Sequence, residues 1–303
     1  MHPENLKRLE VFSEVPERKI MDGRPFLELI HKPDYIEKVK NAVVEAHWLD
    51  QDTKVSAGTF EAAVAAVGAT IMASESGDFA LVRPPGHHAY PDHSSGFCLF
   101  NNVAIATQKL VNEGRRVLLF DFDGHLGDGT SHIFYETDQV LYWSIHQLPA
   151  FPGHGFVHEI GKGLGKGFTI NVPLPPGSAD DIFMDAFHSF LPVAKQFNPD
   201  VVAISAGFDA HLFDLLLELR ISYDSYYQIG KKLRESFPFL FASLEGGYNV
   251  EVLPHCVYNF LAGVNGTPKP FSEPTTTSSR RVWETYEIGL YSIFHHLQPY
   301  WKF

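Results

Sequence analysis

A chain of 303 residues, 45% of them hydrophobic, is long enough to bury one large core, and a single α/β domain is the expectation. Acidic residues outnumber basic ones 36 to 24, and the formal charge of −12 with no basic run argues against nucleic-acid and anionic-membrane partners and favours a cationic one. No stretch reaches the roughly 18 apolar residues of a membrane span, and the opening "MHPENLKRLEVFSEVPERK" has no apolar signal-peptide core, so a soluble cytoplasmic protein is expected.

Short β-rich runs alternate with longer helical stretches, the pattern of an open parallel sheet covered by helices on both faces. In chain order, helices are expected near 34–47 and 57–75, a strand at 79–83, a helix near 99–112, and strands at 116–121, 139–145 and 168–174. A helix near 179–196, a strand at 201–207, a helix near 222–235, a strand at 238–245 and a helix near 250–264 complete the alternation. The glycine-rich "GKGLGKG" (161–167) precedes a strand, whereas a phosphate-binding loop follows one, so it reads as a loop or hairpin arm. Residues 1–265 are therefore assigned to the catalytic unit and 266–303 to a Pro/Ser/Thr-rich linker and a last helix. That helix can gather Val282, Tyr286, Ile293, Phe294 and Leu297 on one face, for docking on the domain or, alternatively, for a homo-oligomer contact. Cys98 and Cys256 sit among apolar neighbours and read as buried reduced thiols.

Ligands of open parallel sheets bind outside the carboxyl ends of the strands. Four strand ends here carry reactive groups: His87 and His88 in "RPPGHHA", Asp121, Asp123, His125 and Asp128 in "DFDGHLGDGT", Asp209 in "SAGFDAH" and Tyr248 in "EGGYN". In extended chain, residues i and i+2 point the same way, so Asp123 and His125 can face one cation, with Asp209 on a neighbouring strand end as the best third donor. A solvated turn or helix cap is the competing reading of "DFDGH" taken alone. Zinc is preferred for such a set, and Fe²⁺ or Co²⁺ also suits it. Buried imidazoles need polar partners, which Asp121 and Asp128 can supply, and imidazole–carboxylate pairs beside an activated water are what amide hydrolysis requires. "AISAGF" lacks the first glycine of a nucleophile elbow, which disfavours a serine hydrolase.

Taken in this order, "RPPGHHA", "SGFCLFNN", "DFDGHLGDGT", "SAGFDAH" and "EGGYN" resemble the histone deacetylase superfamily, which includes acetylpolyamine amidohydrolases and acetoin-utilisation proteins, over residues 2 to 264. The resemblance implies an arginase/deacetylase-like fold with Asp123, His125 and Asp209 as metal ligands, Asp121 paired with His87 and Asp128 with His88. It also implies His88 as general base and then acid, His87 as a tuner of the field, and Tyr248 as oxyanion donor. Phe97 and Gly247 would line a substrate tunnel, and Asp121, Asp123, His125, Ser144 and Ile145 would hold a structural K⁺. Leu126 stands where many members have a second histidine, which implies altered packing with retained catalysis. The start at "MHPE", short of a strand common in relatives, and the leucines of "DAHLFDLLLELRIS" depart from the pattern too. The net charge fits a small cationic acetylated amine such as an acetylpolyamine, with acetyl-lysine close behind; Asp50, Asp52 and Glu218 are acidic candidates near the mouth that read singly as ordinary surface. A non-catalytic acetyl-lysine or acetylamine binder of the same fold is the rival reading, against which stands the presence of His88, Asp128 and Tyr248 together.

Overall fold

The computed structural model describes residues 2–16, 18–45 and 48–303. Its centre is one six-stranded sheet, made of β1 (Phe79–Ala80), β2 (Val117–Asp121), β3 (Val140–Gln147), β4 (Thr169–Leu174), β5 (Val201–Ala206) and β6 (Leu240–Leu244). The strands pair in the order β1-β6-β5-β2-β3-β4, all parallel. From β2 the chain builds outward through β3 and β4, then returns to β2's other side and builds outward through β5 and β6. The order thus reverses between β2 and β5, which opens a crevice at their carboxyl ends.

Every residue of β2, β3, β5 and β6 is buried, so these strands read as continuous apolar runs and not as alternating ones. Alternation survives as a choice of face. Leu118 and Phe120 join the core beneath α6 (Asp180–Phe197), α7 (Tyr223–Ser236), α8 (Leu253–Asn265) and α9 (Arg280–Leu297). Val117 and Leu119 join the core beneath α2 (Pro33–Glu45), α3 (Thr59–Ser76) and α4 (Asn102–Asn112). Two short helices, α1 (Lys7–Glu10) and α5 (Asp128–Ile133), were not expected, being too short to show a helical period.

Most expected elements lie within three residues of the observed ones. The strand expected at 79–83 pairs only over Phe79–Ala80, at the edge of the sheet, and Pro84 and Pro85, which carry no N–H for a ladder, follow after three intervening residues. The helix expected from 99 begins at Asn102, because the Asn101 side chain accepts the Ala104 N–H at 3.1 Å and caps it. The last two positions of the helix expected at 34–47 lie outside the described residues. Cys98 and Cys256 are buried and unbonded to each other. Among the described residues no helix is long and apolar enough to cross a membrane.

Helix α9 buries Tyr286, Ile293 and Leu297 and half-buries Val282 and Phe294 against the core beside α6. The segment before it is mostly exposed, as its composition implies, and is tied at a few points to the acidic start of α6. Asp180 accepts the Thr276 N–H, Asp181 accepts Ser278 and the Trp283 indole N–H, and Asp185 accepts the Tyr286 hydroxyl. Carboxylates in the first turn of a helix are also favoured by its dipole.

Candidate active site

Asp123 and His125 leave the end of β2, and Asp209 leaves the end of β5, so the reversal of strand order sets them side by side. One donor atom from each of Asp123, His125 and Asp209 lies within 4.8 Å of the other two, and all three residues are buried. His125 Nδ1 stands 2.8 Å from Asp209 Oδ2 and 3.3 Å from Asp123 Oδ1. The other oxygen of each carboxylate is tied back to the main chain, with Gly246 N–H donating to Asp123 Oδ2 and Gly124 N–H to Asp209 Oδ1, both at 2.7 Å. Asp209 thus turns Oδ2 to the centre and Asp123 turns Oδ1, which also accepts the His125 backbone N–H at 2.9 Å. Glycine is needed for this closeness: a Cβ at Gly207 would fall 1.9 Å from Asp123 Oδ2, and one at Gly246 would fall 2.4 Å from Asp209 Oδ2.

The donor set fits a divalent cation. A tetrahedral ion with bonds near 2.1 Å spaces its donors about 3.4 Å apart, close to the separations here. Electrostatics agree. Burial alone would lower the His125 imidazole, yet the Asp209 and Asp123 carboxylates hold it up to about 10, so the pair demands a positive charge between them. Burial would raise Asp123, but the neighbouring His87 and His125 bring it down; Asp209 is pushed up by burial and by Asp123. Two buried carboxylates this close are stable only around a cation or a shared proton.

The tandem histidines flank this centre, each on its own carboxylate. His87 Nδ1 donates to Asp121 Oδ2 at 3.1 Å, and the same oxygen accepts the Tyr142 hydroxyl at 3.1 Å. His87 Nε2 lies 3.8 Å from Asp123 Oδ1, and although burial works against it, Asp123 and Asp121 hold this imidazole well above its ordinary range. His88 Nδ1 donates to Asp128 Oδ1 at 2.7 Å. Burial, reinforced by His87, pushes His88 down to about 4, so it stays neutral with Nε2 free to accept a proton. The loop that carries them is held from behind, as Glu245 Oε2 accepts the N–H groups of Gly86 and His87 at 2.6 and 3.1 Å.

Around the mouth, Gly96 and Phe97 both have positive φ, 50° and 69°, and the Cys98 N–H returns to the Ser95 carbonyl at 2.8 Å, the pattern of a tight primed turn. A left-handed phenylalanine costs about 1–2 kcal/mol, and such strain collects at functional sites. Its ring meets Tyr248 edge-on at 5.6 Å and His2 at 4.8 Å. Tyr248 is 8% exposed, with the Arg8 guanidinium 4.9 Å from its ring centre, and burial pushes its phenol up. Gly247 has a φ of 114°, and its carbonyl accepts the Arg8 Nε–H at 2.7 Å. Asp214 joins this loop to the one after β5, accepting the Tyr248 and Asn249 N–H groups at 2.6 and 2.9 Å.

The structure therefore gathers His87, His88, Asp121, Asp123, His125, Asp128 and Asp209 in one connected cluster, with Phe97, Gly247 and Tyr248 at its side. Ser144 lies in register with Asp121 across the β2–β3 ladder, though its hydroxyl pairs with His146 Nδ1 at 2.9 Å. Leu126 is buried in the core. Of the acidic candidates, Asp52 and Glu218 are exposed, while Asp50 is spent on the Ser94 hydroxyl and the N–H groups of Asp52 and Thr53. Sequence reasoning missed Phe151, whose ring stands 5.0 Å from that of His88 and 6.5 Å from that of His125. An aromatic between prolines in "LPAFPG", directly after β3, was the available signal. Arg8, Tyr90, Asp214 and Glu245 were also missed, and their partners are too distant in sequence for any local pattern to mark them.

The family model described as histone deacetylase domain matches residues 2–264. A probable deacetylase of Archaeoglobus fulgidus is 34% identical over 296 residues, covering 90% of this chain and 82% of the relative. The histone deacetylase-like amidohydrolase of Pseudomonas aeruginosa is 33% identical over 263 residues, covering 81% of this chain and 69% of the relative. The crystal structure of the HDA15 HD domain matches with a TM-score of 0.88 at 29% identity, covering 99% of this chain and 89% of that one.

Proposed function

The chain belongs to the histone deacetylase family, and on that premise we propose that it is a zinc-dependent hydrolase that releases an acetyl group from a primary amine carried on an extended aliphatic chain. The observation that carries this reading is the buried Asp123, His125 and Asp209 centre set against a neutral imidazole held by its own carboxylate. When bound there, zinc supplies a Lewis acid for the acyl carbonyl and the attacking water, and Fe²⁺ or Co²⁺ suits the same donors.

His88, with Nδ1–H committed to Asp128, keeps Nε2 unprotonated to take a proton from the water and pass it to the departing amine nitrogen. His87, held by Asp121 and facing Asp123, places positive charge beside the reacting atoms. Tyr248, kept protonated by burial, donates to the carbonyl oxygen as it turns negative. Phe97, Gly247 and Phe151 wall the approach, which suits a slim methylene chain. A K⁺ ion held by Asp121, Asp123, His125, Ser144 and Ile145 is part of the same proposal, supported by the register of Asp121 with Ser144. Residues 1–265 carry the chemistry in this reading, and 266–303 brace it.

Between the two substrate classes, the acetyl-lysine side chain is favoured over an acetylpolyamine. The loop after the third ligand exposes Phe213, Leu215 and Leu216, at 57%, 70% and 39%, and the nearby Asp214 and Asp50 carboxylates already accept backbone and hydroxyl donors. The net charge of −12 is what supports the polyamine. Acetate release from an acetyl-lysine peptide and from acetylated putrescine, cadaverine and spermidine, with and without chelator, tests the proposal. Hydrolysis that survives complete removal of metal refutes the mechanism, and stoichiometric zinc with no turnover of any of these substrates refutes the activity.

A further inference from the structure

We propose that Tyr90 is a positioning residue of the acid–base machinery, its phenol fixing the Asp128 carboxylate so that His88 keeps its proton-accepting nitrogen on the reacting water. The inference rests on the hydrolase reading and adds to it a group that acts through Asp128.

Asp128 opens α5, is 7% exposed, and has its two oxygens divided between two donors. Oδ1 accepts the His88 Nδ1–H at 2.7 Å, and Oδ2 accepts the Tyr90 hydroxyl at 3.1 Å. A carboxylate bound on one side alone can turn about its Cβ–Cγ bond, carrying its imidazole with it; one bound on both sides cannot turn without losing a partner. In a buried site each lost partner is costly.

The phenol is itself held in place. Tyr90 stacks on His93 at 4.3 Å and 15°, with the His132 ring 5.0 Å away. Its N–H reaches the His93 carbonyl at 3.0 Å and its own carbonyl accepts from His31 at 3.1 Å, so ring and main chain are both fixed within two residues of His88. Burial and the adjacent Asp128 raise the phenol well above its ordinary range, which keeps it a donor at neutral pH. Burial would raise Asp128, but its bonds from His88 and Tyr90 help bring it below the usual carboxylate range, so it stays ionised.

The first histidine pair is built alike, since the Tyr142 hydroxyl shares Asp121 with His87. Each imidazole–carboxylate pair thus has one phenol of its own. Tyr142 is sealed inside β3, whereas Tyr90 is half-buried on a loop and can be changed without opening the core.

Tyr90→Phe keeps the ring and its stack and removes only the donor. In the zinc-loaded full chain acting on an acetyl-lysine peptide, it is expected to lower kcat about tenfold with KM unchanged, as the loss of outer partners of active-site groups does. In an Asp128→Asn background the same change should alter kcat less than about twofold, because the route of action is already gone. A Tyr90→Phe enzyme with the parent kcat, or one losing the same factor in both backgrounds, overturns the proposal. If the parent releases no acetate, the hydrolase reading is what fails. Tyr90 is then judged on the imidazole N–H proton of His88, assigned by its disappearance in His88→Ala. Tyr90→Phe should move that resonance downfield as Asp128 leans wholly on His88, and an unmoved resonance overturns the assignment.

Discussion

Replacing His31 by glutamine should remove a defined part of the protein's acid sensitivity. His31 is 2% exposed, and both ring nitrogens are used in the neutral form: Nδ1–H donates to the Tyr90 carbonyl at 3.1 Å, while Nε2 accepts the Asn101 N–H at 2.9 Å. A second proton on Nε2 would confront that N–H. Burial accordingly pushes the imidazole from 6.5 down to about 4. The unfolded chain takes up the proton near 6.5 and the folded one near 4, so the contribution is complete above 6.5 and is lost as pH falls through that window. The loss runs at about 1.4 kcal/mol per pH unit and totals about 3 kcal/mol. The consequence reaches the site, because the side-chain amide of the same Asn101 donates to the carbonyls of His87 and Ala89 and to the Thr130 hydroxyl. Urea unfolding of the parent and His31→Gln at pH 7 and pH 5 measures the effect. The parent should lose about 2 kcal/mol more than the variant between these conditions. His88 and His146, also pushed down to about 4, are present in both proteins and cancel. An identical pH dependence for the two would refute the assignment.

Four further outcomes are expected. Tyr248→Phe should lower kcat by about 10²–10³ while zinc content, read by elemental analysis, stays at one equivalent; an unchanged rate removes the phenol from the mechanism. Asp123→Ala should abolish stoichiometric zinc binding, and retention of a full equivalent would move the centre elsewhere. Gly207→Ala, whose Cβ would meet Asp123 Oδ2 at 1.9 Å, should weaken zinc binding about 10–100-fold in calorimetric titration. Unaltered affinity would show that the Asp123 carboxylate is not held as described. Ile293→Ala, at a fully enclosed position of α9, should cost about 2–5 kcal/mol in chemical denaturation. A loss below about 0.5 kcal/mol would mean that α9 leaves the core in solution.

Local patterns carried much of this protein. The run "RVLLFD" reads as a buried strand ending in a charge, and the i, i+2 spacing of Asp123 and His125 allowed a shared ligand while leaving a solvated turn open. Asp209 was reachable only on the assumption that its strand neighbours β2, and that adjacency is a property of strand order, not of sequence order. The linker at 265–281 is exposed as its composition implies, but its anchoring to the acidic start of α6 joins residues far apart in sequence and was not legible.

By itself, then, the sequence marked the candidate side chains and the strand ends that carry them, because residue type and alternation are local properties. Only the tertiary structure decided which oxygen of each carboxylate faces the centre, that Arg8 and Asp214 brace the Tyr248 loop, and that a separate phenol holds each imidazole's acid. Those contacts join residues that only the packing of distant loops brings within hydrogen-bond reach, and no spacing along the chain encodes them.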